Sequence, residues 1–211
     1  MGDAYRVRDV CLQAHALAAQ ALGTAVPTVP SGMTLALQAL ECGAGGEAPY
    51  SKLFEQARRP FCEAAARDAL IGVQPCMRFR TGPAGFLPPL AGVEGDRWGH
   101  DASPDVLDVA VREAARYTNA AIYVTEHGIN TDDDTQRLRH LQASLPGLQR
   151  CMADGIRVLG FTHWSLLDNF EWRRGYAQKF GLCGVDRQSF ERHAKPSAAA
   201  YRELVRTLRA G

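Results

Sequence analysis

The chain has 211 residues, a formal net charge of +1 and 46% hydrophobic content, enough to bury one core without disulfide or metal staples. A near-neutral charge gives no electrostatic basis for a nucleic-acid or membrane-surface partner. No apolar run approaches the roughly 20 residues that span a bilayer, and the opening MGDAYRVRDV has no apolar signal core, so a cytoplasmic location is expected.

In chain order, residues 5–22 are Ala/Leu-rich with helical spacing, and Gly23 follows as a stop signal. Residues 33–40 form a strand candidate, and ECGAGGEAP reads as a loop. Residues 50–66 read as a helix that Pro60 must break or restart. A strand is expected at 69–73 after Asp68, then a long irregular connection over the Pro- and Gly-rich residues 80–104. Connections of that length are usually functional or mobile. Ser103-Pro104 predicts a capped helix to about Tyr117.

AIYVT (121–125) and RVLGFT (157–162) read as buried strands. Between them Thr131-Asp-Asp-Asp134 places acids at the start of a helix over about 133–154, interrupted near Pro146. A final amphipathic helix is expected at about 197–208. Four strand–helix units preceded by one helix make half of an eight-unit α/β barrel, expected as one domain over 1–211.

Cys11, Cys42, Cys62, Cys76, Cys151 and Cys183 are scattered, with no C-x-x-C pair and no histidine at ligand spacing. They are expected to be reduced, buried small hydrophobes, with no metal and no cofactor implied.

Two segments carry chemistry. Val124-Thr-Glu-His-Gly128 puts a carboxylate at the C-terminal end of a parallel strand, where α/β barrels place catalytic groups. A glutamate that caps a loop or pairs with an arginine would look the same. His163-Trp-Ser-Leu-Leu-Asp-Asn-Phe-Glu-Trp172 follows the next strand. Its aromatic faces and polar acceptors match the apolar faces and hydroxyls of a sugar ring, although Leu166 and Phe170 also fit an aromatic core cluster.

TEHG, then WSLLDNFEW, RGYAQKFGLCGVD and AKPSA resemble the C-terminal part of glycoside hydrolase family 1, the β-glucosidase family. GMTLALQAL and DALIGVQ are similar to its fifth and sixth strands, and LQAHALAAQAL to the helix after strand four. The resemblance implies strands five to eight of a (β/α)8 TIM barrel and a retaining β-glycosidase. It implies Glu126 as nucleophile, Trp164 as the platform beneath the sugar and Glu171 as the acid gripping the 4- and 6-hydroxyls. Trp172 would lie on the 3-hydroxyl side, and Phe180 would line the same subsite.

The sequence departs from the family at three places. No NEP motif, the source of the acid/base glutamate, occurs in the 211 residues. Pro75 and Cys76 lie where strand six delivers a tyrosine that bonds the nucleophile. His127 replaces the asparagine after the nucleophile. It would either titrate beside the carboxylate or, as the expected outcome, point to solvent or a loop backbone.

Without an acid, poorly leaving groups lose a factor of about 10² to 10⁴, so little or no activity is expected from the chain alone. The alternative is a non-catalytic half-barrel that binds sugar or another small ligand. A half-barrel leaves two strand edges open, so a homodimer closing the barrel, or a separate N-terminal half, is the expected partner besides a β-glycoside.

Overall fold

The structure, a computed structural model, describes residues 4–210; the first three residues of the charged opening stretch lie outside this range. The Ala/Leu-rich segment forms α1 (Ala4–Ala25). It lies on the surface with Val7, Val10, Leu17 and Leu22 exposed, and His15 ties it to Asp68 at 3.0 Å.

The strand expected over 33–40 is instead two strands, β1 (Thr34–Leu35) and β2 (Ala39–Cys42), in different sheets. Tight turns make the break: Leu37 N donates to the Leu35 carbonyl at 2.8 Å and Gln38 N to the Ala36 carbonyl at 3.0 Å. Burial of Leu37 in the core holds the kink in place. Then α2 (Glu47–Lys52), a π-helical turn (Leu53–Arg58) and α3 (Arg59–Ala65) follow without a gap. Pro60 falls in the first turn of α3, where its missing N–H costs little, so the restart takes the form of a widened turn.

Next come β3 (Leu70–Val73), β4 (Arg78–Gly82) and β5 (Gly85–Phe86). The stretch expected to be irregular thus contains an antiparallel pair, β4 with β5, that joins β2 in a three-stranded sheet. The helix predicted from Ser103-Pro104 is α4 (Val106–Ala115). Its N-cap is Asp105 without a side-chain bond. Ser103 sits in a preceding turn, its own amide on the Asp101 carbonyl at 2.9 Å, so it offers its carbonyl rather than its hydroxyl to Val106 N.

The chain continues through β6 (Ala121–His127), α5 (Asp134–Ala153), β7 (Val158–His163), β8 (Cys183–Val185), β9 (Arg192–Ala194) and α6 (Pro196–Ala210). Asp133 caps α5 by accepting from Thr135 N, as the acidic start predicts. No interruption occurs at Pro146. An interior proline costs about 3 kcal/mol in an isolated helix, and burial of Leu141, Leu148 and Cys151 on the same helix offsets it.

The main sheet has the order β1-β3-β6-β7, all parallel. Ile71, Val73, Ile122 and Val124 pack one face against Leu107, Ala110, Val111 and Ala114 of α4 and Leu148 and Cys151 of α5. On the opposite face Gly160 makes room for the Tyr123 ring, which a Cβ there would meet at 2.9 Å. β1 and β7 are the open edges of this sheet. All six cysteines are free thiols. Cys62 and Cys151 are buried, but Cys11 and Cys42 are exposed, correcting the expectation of six buried thiols; Cys11 follows the surface course of α1.

Candidate active site

Strict alternation would put Glu126 on the same face as Val124, inside the helix-covered core. The register between β6 and β7 shifts between Val124 and His127, and that irregularity turns the Glu126 carboxylate the other way. It enters a cavity of about 370 Å³ that Trp164, Glu171, Trp172 and Phe180 also line. The five side chains singled out from the sequence therefore meet in one place. Trp172 sits at the rim, 86% exposed.

Three devices bring them together. Gly128 lets the chain after β7 pass close, since a Cβ there would meet the Trp164 carbonyl at 1.9 Å. Trp164 N then bonds the His127 carbonyl at 2.9 Å. Asp168, 3% exposed, accepts from Gly181 N at 2.9 Å and from Lys195 Nζ at 3.0 Å, pinning the aromatic loop beside Phe180.

The third device is Arg137, only 1% exposed. Its guanidinium donates to the carbonyls of Ile129 at 2.9 Å, Thr131 at 2.7 Å and Lys179 at 3.2 Å, joining the segment after β6 to the one before Phe180. Arg137→Met is expected to lower stability by about 3–5 kcal/mol, because it strands buried carbonyls. Urea unfolding checks this, and a loss under about 1 kcal/mol would show that water replaces the guanidinium there.

Burial pushes the Glu126 carboxyl above its usual range, and the Glu171 carboxylate adds to the effect. Glu126 Oε1 accepts from Gln74 Nε2 at 2.7 Å. Glu171 Oε1 is buried and, among the described residues, has no hydrogen-bond partner, an arrangement that hydroxyl donors of a ligand would satisfy. Desolvation pushes the Cys76 thiol up to about 12, so the group near the place of the family's tyrosine is a neutral thiol. Among the described residues no cluster of His, Cys, Asp or Glu has a metal-holding arrangement.

Sequence reasoning missed Gln74, Gln38 and Trp98, which also line the cavity. Trp98 packs edge-on to Phe180 with ring centroids 5.3 Å apart. Asp96 holds its loop by accepting from Trp98 N and His100 N, each at 2.8 Å. The length of that connection was the available signal. His127 corrects the expected exposure: it is fully buried, though it does bond a loop backbone, the Pro75 carbonyl at 2.6 Å. Its other ring nitrogen lies 2.8 Å from Ser144 Oγ.

Among solved structures, a crystallised β-glycosidase is 37% identical to this chain with a TM-score of 0.92, covering 95% of this chain and 48% of its own. An apo β-glucosidase is 36% identical with a TM-score of 0.89, covering 98% and 51%. A β-galactosidase of Sulfolobus acidocaldarius is 37% identical over 119 residues, which are 56% of this chain and 24% of the relative. The chain thus spans about half the length of these solved chains, and its matched part about a quarter of the curated relative. The solved barrels align over nearly all of it, in keeping with a half-barrel's strands and helices. The model of glycosyl hydrolase family 1 matches residues 94–209, the stretch that holds Glu126 and the aromatic loop, and the chain belongs to that family.

Proposed function

We propose that this chain carries the nucleophile side of a retaining β-glycosidase that hydrolyses O-glycosyl bonds by double displacement. The carrying observation is the convergence of Glu126, Glu171 with its buried, unpartnered Oε1, and Trp164 on one cavity. Gln74 occupies one oxygen of Glu126, which leaves the other for attack on the anomeric carbon. A Glu126–C1 ester forms as the bond from C1 to the leaving oxygen breaks, and water later cleaves the ester. Glu171 receives sugar hydroxyls and Trp164 stacks beneath the ring, interactions that gain value when they tighten in the transition state.

The second carboxyl group of this mechanism lies about 5 Å from the nucleophile in retaining enzymes and protonates the leaving oxygen. The 211 residues hold no NEP motif to provide it. Full turnover is therefore assigned to this chain together with an acid-bearing half of the barrel, whether that half is on the same polypeptide or another. A substrate whose leaving group needs no proton tests the nucleophile by itself: a dinitrophenyl 2-deoxy-2-fluoro-glucoside should leave a covalent adduct on the peptide containing Glu126.

The open edges β1 and β7 favour pairing with another sheet, and a second copy closing the barrel is the proposed partner of the isolated chain. Light scattering at micromolar concentration is expected to give twice the chain mass. A monomer under those conditions would overturn the dimer.

A further inference from the structure

We propose that Gln74 is the positioning residue of the nucleophile in this chain, doing with an amide N–H what a tyrosine hydroxyl does in the family, and that Gln38 and His127 hold the 74–77 segment for that task. The inference rests on the reading of Glu126 as nucleophile. Gln74 Nε2 lies 2.7 Å from Glu126 Oε1 and, among the described residues, no other hydrogen bond reaches that carboxylate. A donor on one oxygen fixes the carboxylate plane and aims the second oxygen.

The segment that presents Gln74 is held from both sides. Gln38 uses both ends of its amide: Nε2 donates to the Gln74 carbonyl at 3.0 Å, while Oε1 accepts from Cys76 N at 2.8 Å and Met77 N at 2.7 Å. Pro75 has no N–H, so Gln38 takes both backbone donors that follow Gln74. From the other side His127 donates through Nδ1 to the Pro75 carbonyl at 2.6 Å. Two departures from the family pattern, Pro75-Cys76 and His127, are therefore in contact and act on one segment. An amide also differs from a phenol in never ionising, so its hold on Glu126 persists at alkaline pH.

The test is a carboxyl-carbon NMR titration of the full chain with ¹³C-labelled glutamate, the Glu126 signal being assigned through Glu126→Gln. Gln74→Met removes the donor at similar volume, and Gln74→Asn keeps an amide one methylene too short; if the first variant unfolds, the second decides. In either variant the Glu126 pKa should rise by about one unit, since a hydrogen bond to the charged form has been lost. Trapping by the fluoroglucoside should slow about tenfold. An unchanged Glu126 titration in a folded variant overturns the role of Gln74, even when the wild-type chain still traps the sugar. A titration that moves in a chain that never traps sugar upholds the Gln74 contact and sinks the nucleophile reading instead.

Discussion

A Glu126→Gln variant is expected to form no covalent adduct with a dinitrophenyl 2-deoxy-2-fluoro-glucoside, whereas the wild-type chain forms one adduct per chain. The leaving group departs without a proton, so the missing acid does not enter the comparison. The fluorine slows both steps, and the good leaving group lets the first still proceed, so the ester accumulates. Glutamine keeps the volume and can still meet Gln74, but its neutral amide cannot attack C1. The expected loss is complete, whatever the wild-type rate.

Intact-mass measurement followed by peptide mapping reads the result. An adduct persisting in Glu126→Gln would move the nucleophile elsewhere, and Glu171 would be the next candidate because it lines the same cavity. The variant's stability should not fall. Burial and the neighbouring Glu171 charge both disfavour the Glu126 carboxylate, so a neutral side chain relieves a cost there.

Acidification from pH 7 to pH 5 should remove about 4 kcal/mol of stability through His127 and His163, and the buried His140 adds to the loss. His127 and His163, the paired last residues of β6 and β7, are buried, with His140 stacked on His127 at a ring separation of 5.1 Å. Burial pulls His127 down to about 4. Burial, with the neighbouring charges of His127 and Arg137, pulls His163 down to about 3. His140 is also held well below the usual range, by burial first and then by His127 and His163. The buried Arg137 guanidinium disfavours protonation of His140 and His163, and Asp134 only partly opposes it at His163.

The sign follows from which state takes up protons. Below about pH 6.5 an unfolded histidine is protonated while the folded ones stay neutral. Stability is therefore complete above that pH and falls as pH drops toward 4 and then 3. At pH 5 each of the two histidines accounts for about 2 kcal/mol. Urea unfolding at pH 7 and pH 5 measures the difference directly. His127→Asn, which installs the family's residue, should shrink that difference by about 2 kcal/mol; an unchanged difference would show that His127 is not a titrating group.

The alternation of strands and helices and the chemistry of TEHG and WSLLDNFEW were legible in the sequence, because propensity, capping and motif spacing operate within a few residues. Asp133 and Thr135 make their cap across one turn of chain, so the acidic start of α5 could be read directly. The four parallel strands were likewise expected from their apolar runs. Pro146 was misread for the complementary reason: its effect on α5 was decided by Leu141, Leu148 and Cys151 packing into the core, which local propensity does not contain.

The direction of Glu126 was settled by pairing across the chain. Alternation counted along β6 alone sends that side chain into the core, and the irregular register with β7 reverses it. His127 next to it looked like a surface histidine until Pro75 and Ser144 closed around its ring. Gln74 carried no signal of its own, since a glutamine matters there only because Gln38 and His127 hold its backbone within reach of a carboxylate on another strand. By itself the sequence determined the elements, the family text and the side chains able to recognise a sugar. Tertiary structure decided which way those side chains face and what holds them, because register, burial and long-range hydrogen bonds belong to pairs of segments and not to either segment alone.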